Sequence, residues 1–125
     1  MDITPRIPAG RQIINAYGGG GFRVAGIAYR GSILVFPDRT LAWPVSQMDE
    51  LQPESFAAVR SAEPAVGILL LGCGASIRFL PRTLREGLRA HGIVVDCMDS
   101  GAACRTFNVL LAEERRVAAA LIAID

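Results

Sequence analysis

The sequence predicts an α/β domain over residues 1–125: three layers, a mostly parallel central sheet with helices on both faces, and a β-rich N-terminal portion. Two observations carry this. The second half holds three apolar runs of strand length, "AVGILLLG", "IVVDCM" and "RVAAALIAI", separated by segments of helical pattern. Strands spaced by helices need crossovers, and crossovers make strands parallel. The first half instead reads as short β runs broken by glycine.

Along the chain, a strand is expected around Gln12–Tyr17, followed by a loop over Gly18–Gly21, where consecutive glycines turn the backbone freely. "GFRVAGIAYRGSILVFP" reads as two runs, Phe22–Ala28 and Ser32–Phe36, joined by a short hairpin connection at Tyr29-Arg30-Gly31. "TLAWPV" adds a short strand that Pro44 confines to an edge or a strand end. In "QPESFAAVRSAEP", Pro53 and Glu54 suit the first turn of a helix that Pro64 stops. "AVGILLLG" is apolar throughout, as burial on both faces requires. "LPRTLREGLRAHG" is a helix with Pro81 near its start and Gly92 as its stop. "IVVDCM" is a further buried strand, and "DSGAACRTFNVLLAEERR" a helix capped by Asp99 or Ser100. "RVAAALIAI" closes the chain as a strand.

At 51% hydrophobic and 20% charged residues the composition is that of a globular domain. A net charge of +1 gives no field to recruit nucleic acid or an anionic membrane, and no stretch interleaves aromatic with basic residues, so nucleic acid is not expected as a partner. All 13 basic residues are arginine, which together with abundant Ala and Gly suits a GC-rich bacterial genome. Cys73, Cys97 and Cys104 form no C-x-x-C pair and His91 is the sole histidine, so neither a zinc site nor a Ser-His-Asp triad is expected, and no cofactor is implied. "MDITPRIPAG" lacks an apolar signal core and no run approaches the ~20 residues of a membrane span, which predicts a cytoplasmic protein.

"VGILLLGCGASIRFLP" asks whether the chain holds a nucleotide. Gly72 and Gly74 supply two glycines of G-x-G-x-x-G, but Ile77 stands at the third, and Pro81 delays the helix whose amides would meet a pyrophosphate. Asp96, near the end of the next strand, is a stand-in for a ribose-binding acid, and a Walker loop is excluded by the absence of lysine. Ligands of open α/β sheets nevertheless gather at the carboxyl ends of strands. A candidate cleft therefore comprises Gly72, Cys73 and Gly74 together with Asp99, Ser100, Arg105 and Asn108. The alternative for these residues is architectural: Asp99 caps, Arg105 is solvated, Asn108 satisfies backbone, and Cys73 is buried and inert because His91 is far from it. Arg78, Arg82, Arg85 and Arg89 follow a 4-3-4 spacing that, on one helix, confines them to about a 60° arc. That ridge suits an acidic partner, although Glu86 can also pair with Arg82 or Arg89. Asp38, Asp49 and Glu50 show no spacing that makes an acid/base pair.

The opening Tyr-Gly-x(n)-Phe-Arg-Val, the Gly-Ser-Ile-Leu-Val strand, the lone Trp43 and the blocks "PAVGILLLGCGA" and "GIVVDCMDSGAACRTFNVLLAEERRVAAALI" resemble one family, that of mitochondrial complex I assembly factor three and its bacterial and archaeal relatives. The resemblance spans roughly residues 12–123 and is sharpest from Met98 to Ile122. It implies a three-layer fold around a mixed sheet with one antiparallel core strand, no catalytic activity, and action through protein contacts, with respiratory complex I subunits or assembly proteins as partners and self-association as a further expectation. The family's Gly-Thr-Gly turn has Cys73 at the Thr position, and its Asp-Thr turn has Ser100. Its Asn-x-Leu is met by Asn108 and Leu110, its Glu-x-Arg-x-Val by Glu114, Arg116 and Val117. The sequence therefore leans toward a non-catalytic interaction domain, the alternative being a small-molecule binder or enzyme working in the Gly72–Gly74/Asp99–Asn108 cleft.

Overall fold

The computed structural model describes residues 10–125; the stretch Met1–Ala9, read above for a signal core, lies outside the described residues. Its first three strands, β1 (Ile14–Gly18), β2 (Gly21–Val24) and β3 (Ile27–Arg30), form an antiparallel meander. Gly19 and Gly20 take φ of +62° and +83° in the first turn, the left-handed pair that a two-residue hairpin needs. The second turn is Ala25-Gly26, with φ of +49° and +80°, so the run Phe22–Ala28 is two strands and not one. Asn15 explains why an alanine is tolerated there: its side-chain oxygen accepts the Gly26 N–H at 2.8 Å, while the Ala25 N–H donates to the Ile13 carbonyl at 2.7 Å. Tyr29-Arg30-Gly31 is accordingly no hairpin. It carries the chain from this meander into a second sheet.

That second sheet has the order β5-β4-β8-β6-β7, with β4 Ile33–Val35, β5 Thr40–Ala42, β6 Ile68–Gly72, β7 Val94–Met98 and β8 Val117–Leu121. β6 pairs in parallel with both β7 and β8, and β4 pairs antiparallel with both β5 and β8. Four strands thus run one way and β4 the other, a mixed sheet with one antiparallel core strand. Pro44 follows β5, which lies at an edge.

Side-chain alternation divides the core. Leu34, Leu69, Leu71, Val95, Cys97, Ala118 and Ala120 point to one face, where they meet Phe56, helix α1 (Ala57–Arg60) and helix α2 (Arg82–Arg89). Ile33, Val35, Leu70, Ala119 and Leu121 point to the other, against helix α3 (Ser100–Ala112) and the meander residues Ile14, Phe22 and Val24. β8, with the sequence VAAAL, is buried along its whole length, as a central strand covered twice must be. Pro53 opens the 3-10 turn that leads into α1, and the lone Trp43 holds that turn by donating its indole N–H to the Ser55 carbonyl at 2.8 Å.

Two further elements depart from the sequence reading. β7 is not buried on both faces: Val94 is 57% exposed and Asp96 is also exposed, because α3 lies mainly over β6 and β8. α3 ends at Ala112, not at the arginines beyond it, because Glu114 adopts a φ of +58° and the chain turns away. The α3 side of the core centres on Phe107, which has no exposure. Phe107→Ala is expected to cost about 3–5 kcal/mol, a large part of the ~5–15 kcal/mol typical of a domain, as read by urea unfolding.

Candidate functional site

The carboxyl ends of β6 and β7 bring Gly72–Gly74 and the start of α3 together, as the sequence suggested, but in a closed joint. Ser100 has no exposure. Its hydroxyl donates to the Ile122 carbonyl at 2.6 Å and accepts the Gly74 N–H at 2.9 Å, and its own N–H donates to the Gly74 carbonyl at 2.8 Å. Asp99 is the N-cap, its carboxylate accepting the Ala102 N–H at 2.8 Å. Gly72 lets the helix come this close: a Cβ there would stand 3.0 Å from the Ser100 Cα and 2.9 Å from Leu121 Cδ2. Cys73 is buried, and its thiol donates to the Arg78 carbonyl at 3.0 Å. Burial pushes that thiol up from its ordinary value, away from an activated thiolate.

Arg105 and Asn108 lie further along α3 and face the meander instead. The Asn108 amide pairs with the β1 backbone on both sides, accepting the Ile14 N–H and donating to the Ile14 carbonyl, each at 2.9 Å. It stands in for a neighbouring strand at the edge of β1. Arg105 donates to the Tyr17 hydroxyl at 3.2 Å, and the Tyr17 ring lies over Gly101. A groove of about 280 Å³ runs between β1 and α3 here, bordered by Tyr17, Arg105 and Asn108. Backbone satisfaction by Asn108 is one of the two readings offered above, but its partner Ile14 lies 94 residues away and nothing local in the chain points to it.

The four arginines do not share one helical face. α2 begins only at Arg82, so Arg78 sits in the preceding loop and pairs with Asp49 at 2.9 Å. Arg82 pairs with Glu86 at 2.8 Å. Arg85 is half-buried against β7, donating to the Val95 carbonyl at 3.0 Å and toward Cys97 Sγ at 3.5 Å. Arg89 is exposed in the last turn. Glu50 accepts bonds from the Ser46 hydroxyl and N–H, which hold its carboxyl below its ordinary value.

What the sequence reading missed is the loop itself. Residues 73–81 are neither strand nor helix, and they carry Ile77 at 51% exposure and Phe79 at 77%. The signal was available: Pro81 fixes the helix start, so everything between Gly74 and Pro81 had to be loop. A cavity of about 310 Å³ opens at the other end of the sheet, where β6 and β8 begin, among Phe36, Arg39, Val66, Arg116 and Val117.

Ser100→Ala would strand the Gly74 N–H and the Ile122 carbonyl in the core. A loss of about 1–3 kcal/mol in chemical denaturation is expected. Cys104 is held at about 12, raised from 9.0 chiefly by burial, with Arg105 opposing and Asp99 adding to the shift. A thiol raised on folding keeps its proton where the unfolded chain has lost it. Its contribution is therefore whole below about pH 9 and is lost as pH climbs toward 12. Unfolding titrations should show stability falling across that window, with Cys104→Ala flattening the fall, while thiol reagents at neutral pH label native protein far more slowly than unfolded chain.

Residues 14–122 match the family described as protein of unknown function (DUF498/DUF598). An uncharacterised protein of Rhodobacter capsulatus is 40% identical over 122 residues, covering 96% of this chain and 93% of that one. The NADH dehydrogenase (ubiquinone) 1 alpha subcomplex assembly factor 3 of Danio rerio is 36% identical over 122 residues, covering 98% of this chain and 70% of its own length. Among solved structures, one described as an outer membrane protein from Bartonella henselae superposes with a TM-score of 0.86 at 41% identity, covering 96% of this chain and 100% of that one. The fold, the matched span and these relatives agree, and the chain belongs to the DUF498/DUF598 family, together with the assembly factor 3 proteins that its sequence resembles.

Proposed function

We propose that this chain is a non-catalytic docking domain that assists assembly of respiratory complex I through protein contacts. The observation that carries the reading is the Ile77–Phe79 loop. Leaving a phenylalanine 77% exposed forgoes a burial contribution of about 2 kcal/mol, which a partner surface recovers. The loop is also braced. Leu80 at its end is buried, the Cys73 thiol holds the Arg78 carbonyl, and Arg78 bonds Asp49. A braced loop loses little conformational entropy on docking, so more of the contact energy becomes affinity. Arg82 and Arg89 on the adjoining α2 are exposed, which suits an apolar partner surface with an acidic rim. The assembly factor 3 relatives support the same class of action, with the polar groups at the carboxyl end of the sheet engaged internally.

Affinity capture of the tagged chain from its native cells, followed by mass spectrometry, tests this. NADH dehydrogenase subunits or their assembly proteins are expected with the wild-type chain and should drop at least tenfold with Ile77→Ser/Phe79→Ser, a substitution of exposed residues that leaves the melting temperature unchanged. Recovery of the bait alone, or full recovery of partners by the double variant, would overturn the proposal.

A further inference from the structure

We infer that the cavity where β6 and β8 begin binds a small monocarboxylic acid with an apolar body. The site lies at the opposite end of the sheet from the Ile77–Phe79 loop, so it neither needs nor decides partner docking. Its floor is apolar: Phe36, Val66 and Val117 are buried side chains that face a space of about 310 Å³, near the lower bound of small-molecule pockets at roughly 300 Å³. Three chain segments far apart in sequence meet there, together with Arg11. A cavity of this size calls for a ligand of few atoms.

The charges around the floor specify the rest. Arg39 is pinned over the Phe36 ring at 4.2 Å and paired with Asp38 at 3.1 Å, so those two form a neutral wall. Arg11, Arg115 and Arg116 line the cavity together with Glu63 and Glu114, and among the described residues none of the five makes an ion pair. One positive charge is left over. A singly charged anion balances it, whereas a phosphate dianion would set surplus negative charge beside the two glutamates. A carboxylate also matches the planar fork of a guanidinium, which binds it through two parallel hydrogen bonds.

The backbone presents these groups deliberately. Glu114 lies just past the end of α3, in the left-handed position at φ +58° where glycine is the default. Its N–H donates to the Leu111 carbonyl and the Arg115 N–H to the Leu110 carbonyl, each at 3.0 Å, closing the helix end. Glycine would fit there with less strain, yet the chain places a charged side chain at the position and follows it with two arginines. The Arg116 carbonyl in turn accepts the Gly67 and Ile68 N–H groups at 3.0 and 3.1 Å, fixing the arginine pair against the start of β6.

Titration of the ¹⁵N-labelled full chain with sodium benzoate at constant ionic strength tests the assignment, with benzamide as the neutral isostere and inorganic phosphate as the competing anion. Saturable shifts are expected at the Arg115, Arg116 and Val117 amides and at the Arg11 Nε–H, with a dissociation constant on the order of 1 mM for so small a ligand. Benzamide and phosphate should each bind about tenfold more weakly, and Arg116→Gln or Arg11→Gln should weaken benzoate about tenfold, the loss of one charged hydrogen-bond donor. Arg30→Gln, on the exposed end of β3 and outside the cavity lining, should leave benzoate binding unchanged, and unchanged amide positions away from the cavity confirm that each variant folds. Shifts that rise linearly without saturation, shifts centred on Arg82 and Arg89, or phosphate binding as tightly as benzoate would each overturn the inference.

Discussion

One buried hydroxyl sets the geometry of this molecule. Ser100 Oγ joins Gly74, at the exit of β6, to Ile122, at the exit of β8, and does so from the first residue of α3. A strand pair and a crossover helix are thereby locked at one point. The lock requires the helix to touch the sheet, which the missing side chain of Gly72 and the small residues of β8 permit. Everything on that face follows. With α3 fixed, Asn108 and Tyr17 seat β1 against it, and β1 carries the rest of the meander over Ile33 and Val35. Among the described residues α3 is the helix on which the three-stranded sheet rests, and the Gly20 N–H also ties that sheet to the Ile124 carbonyl at 2.8 Å.

The same joint reverses the usual division of labour between the two ends of an α/β sheet. Ligands ordinarily gather at the carboxyl ends of the strands, where loops diverge and helix N-termini offer amides. Here those groups are engaged in holding β6, β8 and α3 together, and the capping carboxylate of Asp99 takes the amide of Ala102. Open space lies instead at the amino ends of the strands. The exposed edge follows similar logic. β7 has one uncovered side, and an unpaired strand edge invites pairing with another chain. Arg85 answers this by donating to the Val95 carbonyl, so a residue that spacing placed on a basic ridge instead covers backbone at the edge.

How much of this was legible depends on the range of the interaction involved. Features set by neighbours in sequence were readable: the fully apolar β6, the N-cap at Asp99, the proline that delays α2, and the stop at Gly92. The single antiparallel strand came from the resemblance, since periodicity carries no strand direction. Features set by distant partners were not readable. Ala25-Gly26 turns because Asn15 and Ile13 support it from the neighbouring strand. "IVVDCM" looks doubly buried because valine and isoleucine give no clue to which side a helix will leave bare. Arg85 looks like a ridge residue until the carbonyl that it satisfies is known, and the backbone role offered for Asn108 does not name its partner, Ile14.

The cysteine at the Gly-Cys-Gly turn shows how far the architectural reading extends into function. Cys73 donates its thiol to the Arg78 carbonyl five residues on. A thiol is a weaker donor than a hydroxyl but the better buried group, and this position is almost fully enclosed. The bond draws the chain back on itself immediately after β6. With its two ends tied, at Cys73 and at buried Leu80, the intervening segment has to bow outward, and its apolar side chains, Ile77 and Phe79, find no interior left to enter. The exposure that suits the loop for docking is therefore a consequence of the internal bond at its base. A turn that resembles a phosphate cradle in sequence serves here to hold an apolar loop away from the core.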